Sequence, residues 1–191
     1  MARKGVRQLW KDKVEGRSTS GAPISVPLAK RRFEGAILGI DPSLRGTGLA
    51  VVEFGNSGRA VLLHSKTLKL KPSLSMASCL GQICQEVLQI LDTREIDIVA
   101  LEQTIFVQNF QTAQILGAAR GAAIAAAAMR GKEVFEYPPL RVKQAVVGHG
   151  RASKEQVAKT IRSLLGHGAT LALDESDAAA VAFTHAFTGA H

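Results

Sequence analysis

Short apolar runs alternate along this chain with longer segments in which apolar residues recur every three or four positions. The runs are typical of buried strands, and the longer segments are typical of helices with one buried face. Strands are predicted at residues 36–41, 49–54, 59–70, 96–102 and 132–137. Helices are predicted at residues 73–91, 111–130, 138–147, 154–165 and 174–188. This order predicts one α/β domain over residues 36–191, with a mixed five-stranded sheet flanked by helices.

Two of the predicted strands end on a carboxylate. Asp41 closes an apolar run and precedes Pro42, which has no amide hydrogen to carry a central ladder onward. Glu102 closes the run at residues 96–102. Open α/β sheets place their functional sites at the carboxyl ends of strands, so both acids are candidates for such a site. For Asp41 taken alone, the alternative is an aspartate that merely starts a turn.

Two further acids open the last predicted helix. Asp174 and Asp177 are three residues apart and therefore face the same way, whereas Glu175 points elsewhere and is assigned a structural role. Capping of the positive helix end explains one or two of these acids. His185, two turns further along, is predicted to be packed or exposed rather than a ligand.

Four clustered carboxylates would raise one another's pKa unless a cation lay among them. The set is Asp41, Glu102, Asp174 and Asp177. Hard oxygen ligands select Mg²⁺, with Mn²⁺ as a substitute, over softer metals. Two such ions about 4 Å apart activate a water molecule and stabilise the leaving oxygen of a phosphodiester. The sequence therefore predicts a metal site suited to phosphodiester hydrolysis.

The formal net charge is +8, and most of it precedes the predicted domain. Residues 1–35 hold nine Lys/Arg against three Asp/Glu, a balance of +6, and residues 36–191 hold fifteen against thirteen, a balance of +2. The first segment lacks sustained periodicity and is predicted to be a mostly disordered basic arm, either a solvated tail or a nucleic-acid arm. A basic arm on a nearly neutral domain favours an anionic partner such as nucleic acid.

The cellular location is predicted from apolar runs and cysteines. No apolar run reaches the roughly 18 residues that span a bilayer, so no membrane partner is predicted. Cys79 and Cys84 lie in one predicted helix and form no metal-ligand pattern. They are interpreted as thiols of a protein in the reducing cytoplasm.

Basic candidates for DNA contact lie in two places. One of them, Arg45, follows the Asp41 turn. The others flank or lie within the predicted loop at residues 148–153; they are Lys143, Arg151 and Lys154. Ser153 is a predicted N-cap for the next helix, with Gln156 at the capping-box position.

The predicted helix at residues 111–130 is dense in glycine and alanine. Small side chains let another helix approach closely. Packing on its own sheet is one interpretation. Because the alanines surround the helix rather than forming a stripe, a contact with a second copy of the chain is favoured.

Five stretches of the chain resemble the RuvC Holliday-junction resolvases in order and spacing. The three that carry acids are Ile40-Asp41-Pro42, Glu102-Gln103 and Asp174-x-x-Asp177-Ala178. Residues 117–121 look like the family's Leu-Gly-x-Ala-Arg-Gly segment. Residues 142–150, with Lys154-x-Gln156-Val157, resemble its basic segment. The resemblance covers residues 36–185 and leaves the basic arm outside.

The resemblance implies an RNase H-like fold, a homodimer and Mg²⁺-dependent symmetric nicking of four-way DNA junctions. A branch-migration helicase is a candidate partner. Lys143 and Lys154 are then the DNA-contacting or transition-state-stabilising bases. The implied metal ligands are Asp41, Glu102, Asp174 and Asp177.

The chain departs from the family pattern in two places. The family's usual Asp-Pro-Gly-Ser-Arg is Asp-Pro-Ser-Leu-Arg at residues 41–45. The family often has Phe three residues after the strand-end Glu, where it engages unpaired bases; that position is Ile105 here, and Phe106 follows it. Phe106 is therefore predicted to stack on an unpaired base, with packing beneath the next helix as the alternative.

Three other classes of protein share part of this pattern. Another RNase H-like nuclease, acting on RNA or flap DNA, would carry the same carboxylates, and a substrate assay would separate it. Actin-like ATPases need a second phosphate-binding turn in a duplicated domain, for which 191 residues leave no room. A non-catalytic junction-binding protein would not favour clustered negative charge near phosphates.

Overall fold

A computed structural model describes residues 33–56, 58–104, 109–166 and 170–189 of the chain. The predicted basic arm lies outside the described residues except for its last three positions, 33–35. Phe106 also lies outside them. The account below therefore concerns the domain that begins at Phe33.

The described elements follow the predicted order. The strands are β1 (Gly35–Asp41), β2 (Gly46–Phe54), β3 (Ala60–Lys69), β4 (Ile98–Glu102) and β5 (Glu133–Tyr137). The helices are α1 (Met76–Thr93), α2 (Phe110–Met129), α3 (Pro139–Val147), α4 (Lys154–Leu165) and α5 (Leu173–Thr188). α1 begins three residues later than predicted because Ser75 is its N-cap, accepting a hydrogen bond from the Ser78 amide. No stretch of helix in the described part of the chain has both the length and the hydropathy of a bilayer span.

Within the described residues the strands form one sheet in the order β3-β2-β1-β4-β5. β1 pairs antiparallel with β2 and parallel with β4, and β4 pairs parallel with β5. Ile40 is opposite Leu101 in the β1–β4 pair. The next residue of each strand is a carboxylate, Asp41 on β1 and Glu102 on β4. Neighbouring parallel strands therefore deliver the two acids to the same edge of the sheet.

Helices cover both faces of the sheet. Alternate residues of β1 point to opposite faces, so Leu38 and Ile40 pack with α1 and α2, whereas Ile37 packs with α3, α4 and α5. All three side chains are fully buried. The predicted mixed sheet flanked by helices is thus confirmed, with one apolar core on each face.

α5 lies unusually close to β1 and β2. A Cβ atom at Gly39 would lie 2.0 Å from the Ala178 carbonyl oxygen, and one at Gly48 would lie 2.1 Å from the Asp174 carbonyl oxygen. Only glycine fits these two positions, because the helix backbone occupies the space of a side chain. This close approach brings the first turn of α5, with Asp174 and Asp177, to the end of β1.

The start of α4 has the predicted capping box. The Ser153 hydroxyl accepts from the Gln156 amide, and the Gln156 side chain accepts from the Ser153 amide at 2.8 Å. The cap fixes the first helical residue, Lys154, at the end of α4 that faces the first turn of α5.

Candidate active site

A cavity of about 230 Å³ opens at the carboxyl ends of β1 and β4. Among the described residues its charged lining consists of Asp41, Glu102, Asp177, Lys143 and Lys154. Five elements contribute one each: β1, β4, α5, α3 and α4. The remaining wall is apolar and comes from α3 and α4; it consists of Pro139, Val142 and Val157.

Asp174 lies beside this cavity rather than in its lining. Its carboxylate oxygen is 3.7 Å from the position a Cβ atom would take at Gly46, the first residue of β2 after the turn that follows β1. The negative charge of Asp174 nevertheless reaches Asp41, where it helps to raise the pKa. Three predicted acids therefore converge on the cavity, and the fourth lies beside the turn next to it.

Burial and mutual repulsion raise the pKa of two of the acids. Burial raises the pKa of Asp41 to about 6, with Asp177 adding to the effect and Lys154 opposing it. Burial raises the pKa of Glu102 to about 8, with Asp41 and Asp177 adding to the effect. Nearby lysines therefore do not supply enough positive charge to keep both acids ionised at neutral pH.

Lys154 is the cation in closest contact with the acids. Its ammonium donates a hydrogen bond of 2.8 Å to the Asp177 carboxylate. This hydrogen bond raises the pKa of Lys154 above its ordinary value, with further contributions from the charges of Asp41 and Asp174. The Lys154 side chain is 59% exposed and that of Asp177 only 14%, so the lysine reaches in from the solvent side.

The donor set fits a hard divalent cation. Carboxylate oxygens are the only candidate metal ligands in the described lining, which contains no histidine or cysteine. A divalent cation would offset the repulsion that raises the pKa of Asp41 and Glu102. In the described residues no three acids, histidines or cysteines lie close enough together to form a ready-made metal site. The carboxylates of Asp41, Glu102 and Asp177 thus line the same cavity without meeting at a single point.

Two other predictions concern residues outside the cavity. The Glu175 carboxylate accepts hydrogen bonds from the hydroxyls of Ser65 at 2.9 Å and Thr67 at 3.4 Å, so it ties α5 to β3 as a structural residue. His185 is fully buried, and its Nδ1 atom pairs with the Tyr137 hydroxyl at 2.8 Å. It is packed among aromatic rings, as predicted, rather than placed as a metal ligand.

Comparison with known proteins identifies the family. A family model described as crossover junction endodeoxyribonuclease RuvC matches residues 37–185, more than three quarters of the chain. The chain belongs to the RuvC family. Members of this family are nucleases that depend on a divalent metal ion, and the chain is accordingly an endodeoxyribonuclease.

Curated RuvC relatives and a solved structure agree with this assignment. The relative from Akkermansia muciniphila is 44% identical over 152 residues, covering 80% of this chain and 90% of its own. The relative from Bordetella avium is 41% identical over 153 residues, covering 80% and 84%. The Thermus thermophilus RuvC structure superposes with a TM-score of 0.73 at 38% identity, covering 80% of this chain and 93% of its own.

A second solved structure also matches most of the chain. Thermus thermophilus RuvC in complex with a Holliday junction superposes with a TM-score of 0.75 at 37% identity, covering 81% of this chain and 94% of the other. The RNase H-like fold implied by the sequence resemblance is thereby confirmed.

The predicted DNA contacts are distributed unevenly around the cavity. Lys143 and Lys154 line it, and Arg151 is exposed in the loop that joins α3 to α4. Arg45 is half-buried, and its guanidinium is bonded to backbone carbonyls of the chain itself. Phe106 lies outside the described residues, so its base-stacking role stays a prediction.

The apolar wall of the cavity was not predicted from the sequence. A signal for it exists in the helix spacing. Pro139 lies four residues before Lys143, and Val157 lies three residues after Lys154, so each lysine has an apolar neighbour on the same side of its helix. Val142 directly precedes Lys143. Lysine next to apolar residues at helical spacing could therefore have indicated a wall that is partly shielded from water.

Proposed function

We propose that this chain is a Holliday-junction resolvase that makes paired nicks in four-way DNA junctions by Mg²⁺-dependent hydrolysis. The observation that carries the proposal is the cavity at the sheet edge, where three carboxylates and two lysines from five elements meet among the described residues. The proposal is supported by membership of a family of crossover junction endodeoxyribonucleases. A relative of known structure that matches most of the chain was solved with a Holliday junction bound.

The acids would hold the divalent ion. Asp41, Glu102 and Asp177 would do so from the cavity wall, with Asp174 as a fourth ligand from beside the turn. A divalent ion bound there supplies an activated water molecule and stabilises the leaving oxygen. Mg²⁺ is the proposed ion because carboxylate oxygens are the only donors of the described lining, and Mn²⁺ has the same preference for oxygen.

The lysines and the apolar wall have separate tasks. Lys143 and Lys154 offset the negative charge of the scissile phosphate and of the pentavalent transition state. Lys154 must exchange its Asp177 partner for phosphate when DNA enters, and its mostly exposed side chain leaves it free to move. The wall of Pro139, Val142 and Val157 excludes water beside the reacting groups, which strengthens each electrostatic contact.

A homodimer completes the proposal. A four-way junction has two equivalent scissile strands, and a two-fold dimer presents one cavity to each. α2 offers a contact surface for this. Its buried side packs within the domain through Ala119, Ala123, Ala126 and Ala127. The opposite side exposes small residues at helical spacing, among them Gly121, Ala125 and Ala128.

One side of α2 therefore packs within the domain, and the opposite side is available for contact with a second copy of the chain. Ala122, a natural position for testing the contact from sequence alone, packs partly against the core. Gly121 is the better test position because nothing lies within 4 Å of an added Cβ atom.

The cellular context is also part of the proposal. A branch-migration helicase would supply a movable junction and is the proposed partner enzyme. The cytoplasm is the proposed location, and it agrees with the presence of Cys79 and Cys84 as free thiols.

A gel assay tests the proposed function. Labelled four-way junction, linear duplex, flap DNA and an RNA–DNA hybrid are incubated with the protein with and without Mg²⁺. Symmetric nicks in the junction alone, and only with Mg²⁺, are expected. Asp177→Asn should abolish cutting while junction binding stays the same or tightens, because a negative charge near phosphate is removed. Cutting of hybrid or flap in preference to junction would overturn the proposal.

A further inference from the structure

Arg45 lies in the turn between β1 and β2, four residues after Asp41, and its guanidinium is tied to the protein itself. Nη2 donates to the Leu74 carbonyl at 3.0 Å. Nη1 donates to the Lys71 carbonyl and lies 3.5 Å from the Cys79 sulfur. The backbone carbonyl of Arg45 also accepts a hydrogen bond of 3.1 Å, from the Leu70 amide. The turn after β1 is thus fastened to the connection between β3 and α1.

The two backbone carbonyls that accept these hydrogen bonds explain why residue 45 is an arginine. The carbonyls of Lys71 and Leu74 belong to an irregular segment that precedes the N-cap of α1. A guanidinium is a planar fork, and its two terminal nitrogens reach two carbonyls at once. A lysine has one nitrogen and cannot hold both carbonyls in the same geometry.

The other side of the turn is held by α5. The Asp174 backbone fills the space above Gly48, and the Asp174 carboxylate lies beside Gly46. Thr47, the second residue of β2, is buried, and its hydroxyl exchanges hydrogen bonds with the backbone of Ser43 in the turn. The turn is therefore held between the first turn of α5 and the β3–α1 connection, with Asp41 at its start.

We propose that Arg45 is a positioning residue that sets the places of Asp41 and Asp174, and that it is not a DNA contact. This inference rests on the proposed function, because it assigns Arg45 a task in the same cavity. Binding a phosphate would require the guanidinium to release both carbonyls. Without the fork the turn loses its support opposite α5, and Asp41 and Asp174 lose their fixed separation. A displacement of about 1 Å in a reacting assembly costs on the order of 100-fold in rate.

Two variants of Arg45 and two matched controls test the proposal. Arg45→Gln removes the charge and the fork, and Arg45→Lys keeps the charge but not the fork. Arg59→Gln removes one charge from an exposed position in the β2–β3 turn. Arg151→Gln removes a proposed phosphate contact from the exposed α3–α4 loop. Circular dichroism melting first establishes which variants are folded at the assay temperature.

Three quantities are measured on the full chain. They are junction affinity in EDTA as a function of salt, single-turnover cleavage, and Mn²⁺ affinity by electron paramagnetic resonance without DNA. Arg45→Gln should keep the salt dependence of the parent, lose about 10- to 100-fold in cleavage rate, and bind Mn²⁺ several-fold more weakly. Arg45→Lys should show the same losses. Arg151→Gln should reduce the salt slope by about 0.9, the value for one phosphate contact.

The opposite pattern would overturn the proposal. A reduced salt slope for Arg45→Gln, with unchanged Mn²⁺ affinity, would make Arg45 a DNA contact. Full cleavage by Arg45→Lys would show that only the charge matters, and this variant decides the question if Arg45→Gln does not fold. Failure of the proposed function is separately visible, because the parent protein would then not cut the junction, whereas the Mn²⁺ measurement would still report on Arg45.

Discussion

At the scale of single residues, the buried acids of the cavity lower the stability of the fold when no metal ion is bound. Glu102 and Asp41 both have raised pKa values, and burial is the largest cause in each case. A carboxyl group whose pKa is higher in the folded state than in the unfolded state destabilises the fold as pH rises between the two values. For Glu102 that window extends from about 4.5 to about 8.

Glu102→Gln should therefore stabilise the metal-free protein, and more so at high pH. The gain should be absent below pH 4 and should reach at most about 4 kcal/mol at pH 8, since one pKa unit corresponds to about 1.4 kcal/mol; the neighbouring acids titrate together with Glu102, which lowers the gain below this limit. Urea unfolding in EDTA across this pH range measures it. With saturating Mg²⁺ the variant should instead be less stable than the parent protein, because it lacks one metal ligand. A gain independent of pH would contradict the assignment.

The positions of Asp41 and Glu102 were predictable from the sequence for a physical reason. A carboxylate directly after an apolar strand must lie at the sheet edge, and Asp41 and Glu102 do so. The contacts of the Arg45 guanidinium were not predictable. Its partners are main-chain carbonyls of a segment 26 and 29 residues away, and carbonyls leave no mark in a sequence.

At the scale of elements, α5 sets the position of half of the acids through its contact with the sheet. The contact is possible because Gly39 and Gly48 present no side chain to the helix. The sequence alone does not indicate that a helix backbone lies against these two glycines. The small-residue character of α2 was equally ambiguous, since alanine is compatible with a buried and an exposed side.

Gly39→Ala should push α5 away from β1. The added methyl group would lie 2.0 Å from the Ala178 carbonyl oxygen, and neither strand nor helix backbone yields easily. A loss of roughly 3 kcal/mol in unfolding free energy is expected, at the upper end for overpacking. Cleavage should fall even in molecules that remain folded, because Asp177 moves with α5.

Gly81→Ala is the matched control. Gly81 is exposed within α1, and nothing lies within 4 Å of an added Cβ atom. Alanine there should stabilise the protein by about 0.5–1 kcal/mol and leave cleavage unchanged. If Gly39→Ala and Gly81→Ala changed the stability equally in thermal or urea unfolding, the close approach of α5 would not be the reason for glycine at position 39.

At the scale of the whole molecule, the proposed dimer depends on the exposed side of α2. Gly121→Glu places a charged side chain in the proposed contact, at a position where an added Cβ atom meets nothing within 4 Å. The dimer dissociation constant should rise at least 10-fold in analytical ultracentrifugation. The corresponding change on α1, Gly81→Glu, should have no effect on assembly. A native protein that sediments as a monomer and still makes paired nicks would contradict the dimer.

The basic arm is the second prediction at this scale. Residues 1–35 carry a balance of +6, so the arm should add phosphate contacts without reading bases. Deletion of residues 1–32 should weaken binding to every DNA substrate and reduce the slope of log affinity against log salt, with the cleaved sequence unchanged. Fluorescence anisotropy at several salt concentrations measures both quantities. An unchanged slope would mean that the arm is a solvated tail.

The order of the elements along the chain has a consequence for when the cavity is completed during synthesis. The acids come from the first strand, from the fourth, and from α5 near the end of the described chain. α5 also covers the face of β1 and β2 that carries Ile37, Ala50 and Val52. During synthesis, the earlier segments therefore hold only part of the acid set and an uncovered apolar face until α5 leaves the ribosome. If the acids act as proposed, chains that stop before α5 should cut no DNA and should be digested faster by proteases than the full chain.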